Sequence, residues 1–256
     1  MSTNIKTTIK RSWNIFAHGA YIPNDYFVFN DMEMVYISIP KVACTAIKHA
    51  LMGGLVDDSL HSDNVMDIHT LTAKYRKSSL TMKDKKFYKF AFVRNPFERL
   101  VSCYKDKVQR EIQHNNRYYF DTGYNQVLIK NLFGSQFNSS MSFADFVKLV
   151  CKIPDFLSDG HFKSQYSMLY KHGNLVPDFV GKLENMEKDW EIIANRCHCG
   201  KLKTVNRTDN EDWMSCYTSE NLVESVAARY KKDIDCFGYR DIYDKLIDAY
   251  PHRAGK

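Results

Sequence analysis

The sequence lacks most of the features that would assign it quickly. Nowhere do roughly 18 apolar residues run together, which leaves no candidate membrane-spanning helix. Met1–Phe16 has no apolar core of the kind a signal peptide needs, so a soluble, cytoplasmic protein is expected. The seven cysteines are odd in number and scattered through core-like segments, which fits a reducing compartment and not a disulfide framework. Only Cys197-His198-Cys199 has ligand-like spacing, and no second pair accompanies it, so no metal is expected. No glycine stands between Pro40 and Gly53, which excludes a Walker A loop there. Internal repeats and low-complexity tracts are missing. Stacking motifs of the cold-shock or RRM type are also missing, so the 16 Tyr and 16 Phe are read mostly as core. The net charge of +6 is modest and spread out, which favours an anionic ligand over a nucleic-acid coat.

What is present centres on Met34–Leu51. Met34–Ile39 is apolar and rich in β-branched and aromatic residues, as a buried strand should be. Pro40 ends it, having no N–H to give to a ladder. Ala46, Ile47, Ala50 and Leu51 then recur at the spacing of one helix face. A strand, a tight loop over Lys41–Thr45 and a helix start make an anion site, because the first helical N–H groups lack internal partners and the helix dipole adds positive potential. Lys41 adds a full charge and Thr45 a hydroxyl, with Val42, Ala43 and Cys44 supplying loop amides. An ordinary strand-to-helix turn with a chance lysine is the alternative. A second element of the same kind favours the anion site. Phe87–Arg94 reads as a strand, with Asn95 and Pro96 opening a helix and Glu98 near its positive end. Arg94 ends that strand, and Ser102 lies two turns into the helix.

Elsewhere, residues 1–30 read as a mixed lead-in packed on the domain edge, with Asn30-Asp31 a turn before the first strand. Residues 53–86 read as a long loop with one or two short helices. Helices are expected over 125–133, 141–153, 185–197 and, capped by Ser219, up to Tyr230; short strands are expected over 179–183 and 201–206. The length of 256 residues suits one α/β domain with a central, mostly parallel sheet flanked by helices.

The two anion elements, Pro40-Lys41-x-x-x-Thr45 and Arg94-Asn95-Pro96-x-x-Arg99-x-x-Ser102, resemble those of sulfotransferases, which take sulfate from 3′-phosphoadenosine 5′-phosphosulfate (PAPS) and release adenosine 3′,5′-bisphosphate (PAP). More closely, Phe92–Lys107 is similar to the second motif of the carbohydrate sulfotransferases that include the chondroitin and dermatan 4-O-enzymes and the HNK-1 enzyme. Gly160-His161-Phe162, Asp178–Glu184 and Phe237-Gly238-Tyr239 resemble further blocks of that family. The likeness covers roughly residues 33–239. It implies a P-loop-like sulfotransferase fold and a carbohydrate acceptor, with neither nucleic acid nor metal. Two departures stand out. The sequence shows no membrane anchor, and it has Tyr170-Lys171-His172-Gly173 where the family carries a cysteine pair.

The resemblance implies roles by position. Lys41 and Thr45 hold the 5′-phosphosulfate, and Arg94 and Ser102 hold the 3′-phosphate. His161 stands where the 4-O-type enzymes have a histidine before an aromatic residue. His69 stands near where the heparan 2-O-type enzymes carry their catalytic histidine. Either is a candidate general base, with His161 preferred. Glu184 is read as a cap on the helix that follows it. Asn206 and Arg207 are expected to close over the nucleotide. Lys105, Lys107, Arg110 and Arg117 follow the second motif closely and are expected to bind an acidic or hydroxyl-rich saccharide. The competing readings are a non-catalytic polyanion-binding protein on the same fold and a P-loop-like kinase.

Overall fold

The computed structural model describes residues 25–53, 68–109, 141–197, 199–200, 202 and 212–250. In chain order the elements begin with a hairpin of β1 (Asp25–Phe29) and β2 (Met34–Ser38), followed by helix α1 (Cys44–Gly53). A short helix α2 (Ile68–Thr72), a two-residue strand β3 (Arg76–Lys77) and strand β4 (Tyr88–Val93) come next. Helix α3 (Pro96–Tyr104) runs on into a π-helical turn over Lys105–Gln109. Then come α4 (Phe143–Lys152), α5 (Gln165–Leu169), β5 (Tyr170–Lys171), β6 (Asn174–Leu175), β7 (Phe179–Lys182) and α6 (Met186–Cys197). The chain closes with α7 (Glu220–Arg229), α8 (Lys231–Phe237) and α9 (Arg240–Asp248). These elements fall into two compact units, one of residues 23–95 and 165–212, the other of 1–22, 96–164 and 213–256.

The first unit is built on a five-stranded sheet of order β3-β1-β2-β4-β7. β2 pairs parallel with β4, and β4 pairs parallel with β7. β1 pairs antiparallel with both β2 and β3, so the expected parallel arrangement holds on one side of β2 and the sheet as a whole is mixed. β1 corrects the reading of residues 1–30 as a lead-in on the domain edge. Tyr26, Phe27, Val28 and Phe29 are all buried, and the turn Asn30–Glu33 folds them back on β2. Residues 1–24 lie outside the described part, as do the helix expected over 125–133 and the strand over 203–206.

Aromatic residues fill the space between sheet and helices. Tyr36 stacks on Phe90, and Trp190 of α6 packs on Phe90 and Phe92. Gly181 lies opposite Phe92 in the ladder, and a Cβ there would fall 2.4 Å from the Phe92 ring. Only a glycine lets β7 lie this close to that side chain.

The second unit is helical. α3, α4, α7, α8 and α9 bury one cluster that includes Phe97, Leu100, Phe146, Val150, Phe162, Val223, Val226 and Leu246. Ser142 caps α4 by accepting from the Asp145 N–H, and Ser219 caps α7 by accepting from the Leu222 N–H, the latter as its sequence position predicts. α8 ends at Gly238, whose φ of +66° is left-handed and favours glycine.

Candidate functional site

In the sheet unit, β2, β4 and β7 run parallel and side by side, so their carboxyl ends open on one edge. Ligands of open α/β sheets characteristically bind at such an edge. The loop after β2 is Ile39–Ala43. Lys41 has φ +69° and Ala43 φ +47°, with Val42 fully buried between them. Left-handed backbone at alternate residues is the conformation in which successive N–H groups can turn toward one side as a concave anion nest. Without glycine this conformation is costly, about 1–3 kcal/mol at each such residue, and such strain clusters at binding loops. Ile47 N–H donates to the Ala43 carbonyl at 3.1 Å, which starts α1 immediately after the loop. The N–H groups of Cys44, Thr45 and Ala46 therefore have no acceptor within the helix. The first turn of α1 has no acidic residue to neutralise its positive end. Thr45 is exposed, and Lys41, Ala43 and Cys44 are half-buried.

The ends of the neighbouring strands are fastened to this loop. Arg94, following β4, donates through Nη1 to the Lys41 carbonyl at 3.2 Å. Gln165, fully buried at the start of α5, grips the Arg94 backbone twice. Its Oε1 accepts the Arg94 N–H at 2.9 Å, and its Nε2 donates to the Arg94 carbonyl at 2.8 Å. Glu184, following β7, accepts the Asn95 N–H at 2.6 Å and so ties two strand ends together. Near the start of α6 it is Asp189 that takes a backbone proton, accepting the Lys182 N–H at 2.7 Å. His69 is exposed on α2, and its Nδ1 lies 3.2 Å from Nζ of the buried Lys48. An ammonium only donates, so Nδ1 accepts and the His69 ring proton sits on Nε2.

In the helical unit, α3 buries Pro96, Phe97, Arg99, Leu100, Val101, Cys103 and Tyr104. Glu98, Ser102, Lys105 and Asp106 remain half-buried along one stripe at helical spacing. Ser102 and Lys105 thus share a partly open face. Lys107 lies in the π-helical turn that continues this helix, and Arg110, Arg117, Asn206 and Arg207 lie outside the described residues.

The same unit places His161 in a tightly held turn. Asp159 Oδ1 lies 2.6 Å from His161 Nδ1 and also accepts the His161 backbone N–H at 2.8 Å. A carboxylate only accepts, so Nδ1 carries a proton, and in the neutral ring Nε2 carries the lone pair. The turn is anchored from behind. Arg99, 1% exposed, donates to the Gly160 carbonyl at 2.7 Å and to the Lys163 carbonyl at 2.8 Å. Burial pulls the Arg99 guanidinium below its ordinary range, while Tyr230, Asp233 and Asp155 oppose that shift. Tyr230 donates to the Phe162 carbonyl at 2.6 Å, and Asp155 takes both the N–H and the hydroxyl of Ser164. Arg229 bonds Ser158 and pairs with Asp155. Sequence reading missed Gln165, Arg99 and Asp159 in these supporting roles. Arg99 does lie inside a block it quoted and Asp159 immediately precedes another, whereas Gln165 carried no signal.

Among the described residues no helix is long and apolar enough to cross a membrane, and no group of three or more His, Cys, Asp or Glu could hold a metal ion.

Comparison with known proteins agrees with this geometry. The profile of the Sulfotransferase family matches residues 24–240. Carbohydrate sulfotransferase 12 of Xenopus laevis is 26% identical over 238 residues, covering 76% of this chain and 56% of that protein. Carbohydrate sulfotransferase 11 of Danio rerio is 26% identical over 84% of this chain and 62% of its own length. Carbohydrate sulfotransferase 14 of Mus musculus is 29% identical over 81% of this chain and 58% of its own. This chain thus spans less than two thirds of these curated relatives. No solved structure matches it.

Proposed function

The chain belongs to the sulfotransferase family, and we propose that it transfers a sulfuryl group from PAPS to a carbohydrate hydroxyl. The observation that carries this reading is the loop after β2, a glycine-free anion nest with Lys41 in it, fastened to Arg94 at the end of the adjacent parallel strand. The donor supplies an activated sulfuryl group on a 5′-phosphate and carries a second phosphate at the 3′ position.

In this reading the nest N–H groups, Lys41 and Thr45 bind the 5′-phosphosulfate. Lys41 neutralises charge that develops on the phosphate as the sulfuryl group departs, a stabilisation of the kind worth about 10²–10³ in rate. Arg94 and Ser102 are assigned to the 3′-phosphate, where a guanidinium makes forked, charge-assisted contacts. His161 is the general base. Its Nδ1 proton is held by Asp159, so Nε2 is the nitrogen able to take the acceptor's hydroxyl proton, and the carboxylate stabilises the imidazolium that results. His69 fits that role less well, because its Nδ1 lone pair already accepts from Lys48. Lys105, and with it Lys107, Arg110 and Arg117, is assigned to an anionic or hydroxyl-rich saccharide. Cytoplasmic residence remains part of the proposal.

Calorimetric titration tests the donor assignment. PAP should bind about 10–150-fold more tightly than AMP, the ratio expected when one charge-assisted phosphate contact contributes roughly 1.5–3 kcal/mol. Equal affinities would overturn it.

A further inference from the structure

Cys197 and Cys199 have no part in the proposed transfer, yet they are placed for chemistry of their own. Cys197 is the last residue of α6, and its sulfur lies 3.0 Å from that of Cys199 in a hydrogen bond between the two groups. Both are free, and among the described residues they belong to no larger ligand cluster. Cys197 is 8% exposed and Cys199 half-buried, so small solutes reach the pair at its Cys199 side. The next residue, Gly200, is held at both ends. Its N–H donates to the Ala50 carbonyl of α1 at 3.1 Å, and its carbonyl accepts from Trp190 Nε1 at 3.1 Å. The backbone on either side of the sulfurs is therefore fixed, by α6 before them and by these two bonds after them, and the thiols are kept in contact.

We propose that Cys197 and Cys199 form a redox-active dithiol that a hydroperoxide converts to an intramolecular disulfide. Cys197 gives up its thiol proton, and its sulfur attacks one oxygen of the peroxide. The O–O bond breaks, the leaving oxygen takes the proton, and with hydrogen peroxide the products are water and a Cys197 sulfenic acid. Cys199 then loses its proton and attacks the Cys197 sulfur. The S–O bond breaks, and the departing hydroxide takes that proton to form a second water. Two thiols and one hydrogen peroxide give one disulfide and two waters. The electronic bias agrees with this order of events. The hydrogen bond between the thiols lowers the Cys197 thiol and raises that of Cys199, so Cys197 is the first to give up its proton, which it holds toward the Ile193 carbonyl at 2.8 Å.

The test uses the whole protein treated with graded hydrogen peroxide, then alkylated and digested with trypsin. Cleavage after Arg196 and Lys201 releases both cysteines in one peptide. That peptide should lose two hydrogens and both alkylation sites at peroxide levels that leave Cys103 and Cys236 alkylated, and dithiothreitol should restore both sites. In Cys199→Ser, peroxide should instead leave a sulfenic acid on Cys197 that dimedone captures. The proposal is overturned if both cysteines remain alkylated while Cys103 and Cys236 oxidise, if Cys197 passes to sulfinic acid without a disulfide, or if the Cys199→Ser protein gives no dimedone adduct. None of these outcomes depends on sulfuryl transfer.

Discussion

Asp159→Asn isolates the electrostatic part of the proposed catalytic turn. Asparagine keeps a carbonyl oxygen that can accept the His161 backbone N–H, now bound at 2.8 Å, so the turn keeps its shape. Arg99 and Tyr230 hold the same turn through the carbonyls of Gly160, Phe162 and Lys163, and the substitution touches none of these bonds. What disappears is the negative charge 2.6 Å from Nδ1. Both side chains are mostly buried, at 20% and 17% exposure, so solvent screens the pair only partly. A hydrogen bond to a charged partner contributes about 1.5–3 kcal/mol. The neutral ring already donates to Asp159, so only the part gained as the imidazolium forms belongs to the transition state. Turnover should then fall by up to about 10–150-fold, with KM for PAPS little changed. The assay is transfer of labelled sulfate from PAPS to a panel of saccharides, with PAP affinity measured in parallel by calorimetry. Turnover within threefold of the parent, with PAP affinity retained, would refute His161 as a base oriented by Asp159. Loss of PAP affinity would show that the substitution disturbed more than the dyad.

Three further outcomes are expected. Lys41→Ala should lower turnover about 10²–10³-fold without lowering the melting temperature, since a loop side chain is removed and no core cavity forms; thermal unfolding beside the transfer assay checks both halves. Gly181→Ala should destabilise by about 1–3 kcal/mol, because the added methyl meets the buried Phe92 ring at 2.4 Å, and an unchanged urea midpoint would mean the ring moves aside freely. Asp84→Asn should destabilise at neutral pH and lose its effect in acid. Burial pushes the Asp84 carboxyl up, but the Thr81 N–H and the Lys77 ammonium together pull it below its ordinary range. A carboxyl lowered on folding contributes stability above its unfolded pKa, near 4, and loses it as pH falls through the lower folded value. Urea unfolding of parent and variant should therefore converge as the pH falls through that lowered folded value, and a difference that persists once the carboxyl is protonated would refute the charge-based account.

The elements that carry the proposed donor site were legible because their signals are local. Met34–Ser38 and Tyr88–Val93 are apolar runs broken by Pro40 and Asn95-Pro96, and those breaks fix where strand gives way to helix. Ser219 announced its helix through capping, which is also a matter of adjacent residues. β1 was missed although Tyr26-Phe27-Val28-Phe29 is itself an apolar run of aromatic and β-branched residues; what pairing with β2 and β3 decided is its place inside the sheet. The two-residue strands β3, β5 and β6 are too short to show any period.

What sequence alone determined is the inventory: a charged loop between strand and helix, an arginine at the end of a second strand, and a histidine before an aromatic residue. Tertiary structure decided how each of these is held. The left-handed backbone at Lys41 and Ala43 could not be read from residues that ordinarily avoid it. Gln165 grips Arg94 from 71 residues away, Glu184 reaches Asn95 across 89, and Arg99 reaches Gly160 across 61. Such partners are chosen by which strand ends and turns the packing brings together. A single sequence records each residue's chemistry but not the neighbour against which that chemistry is spent.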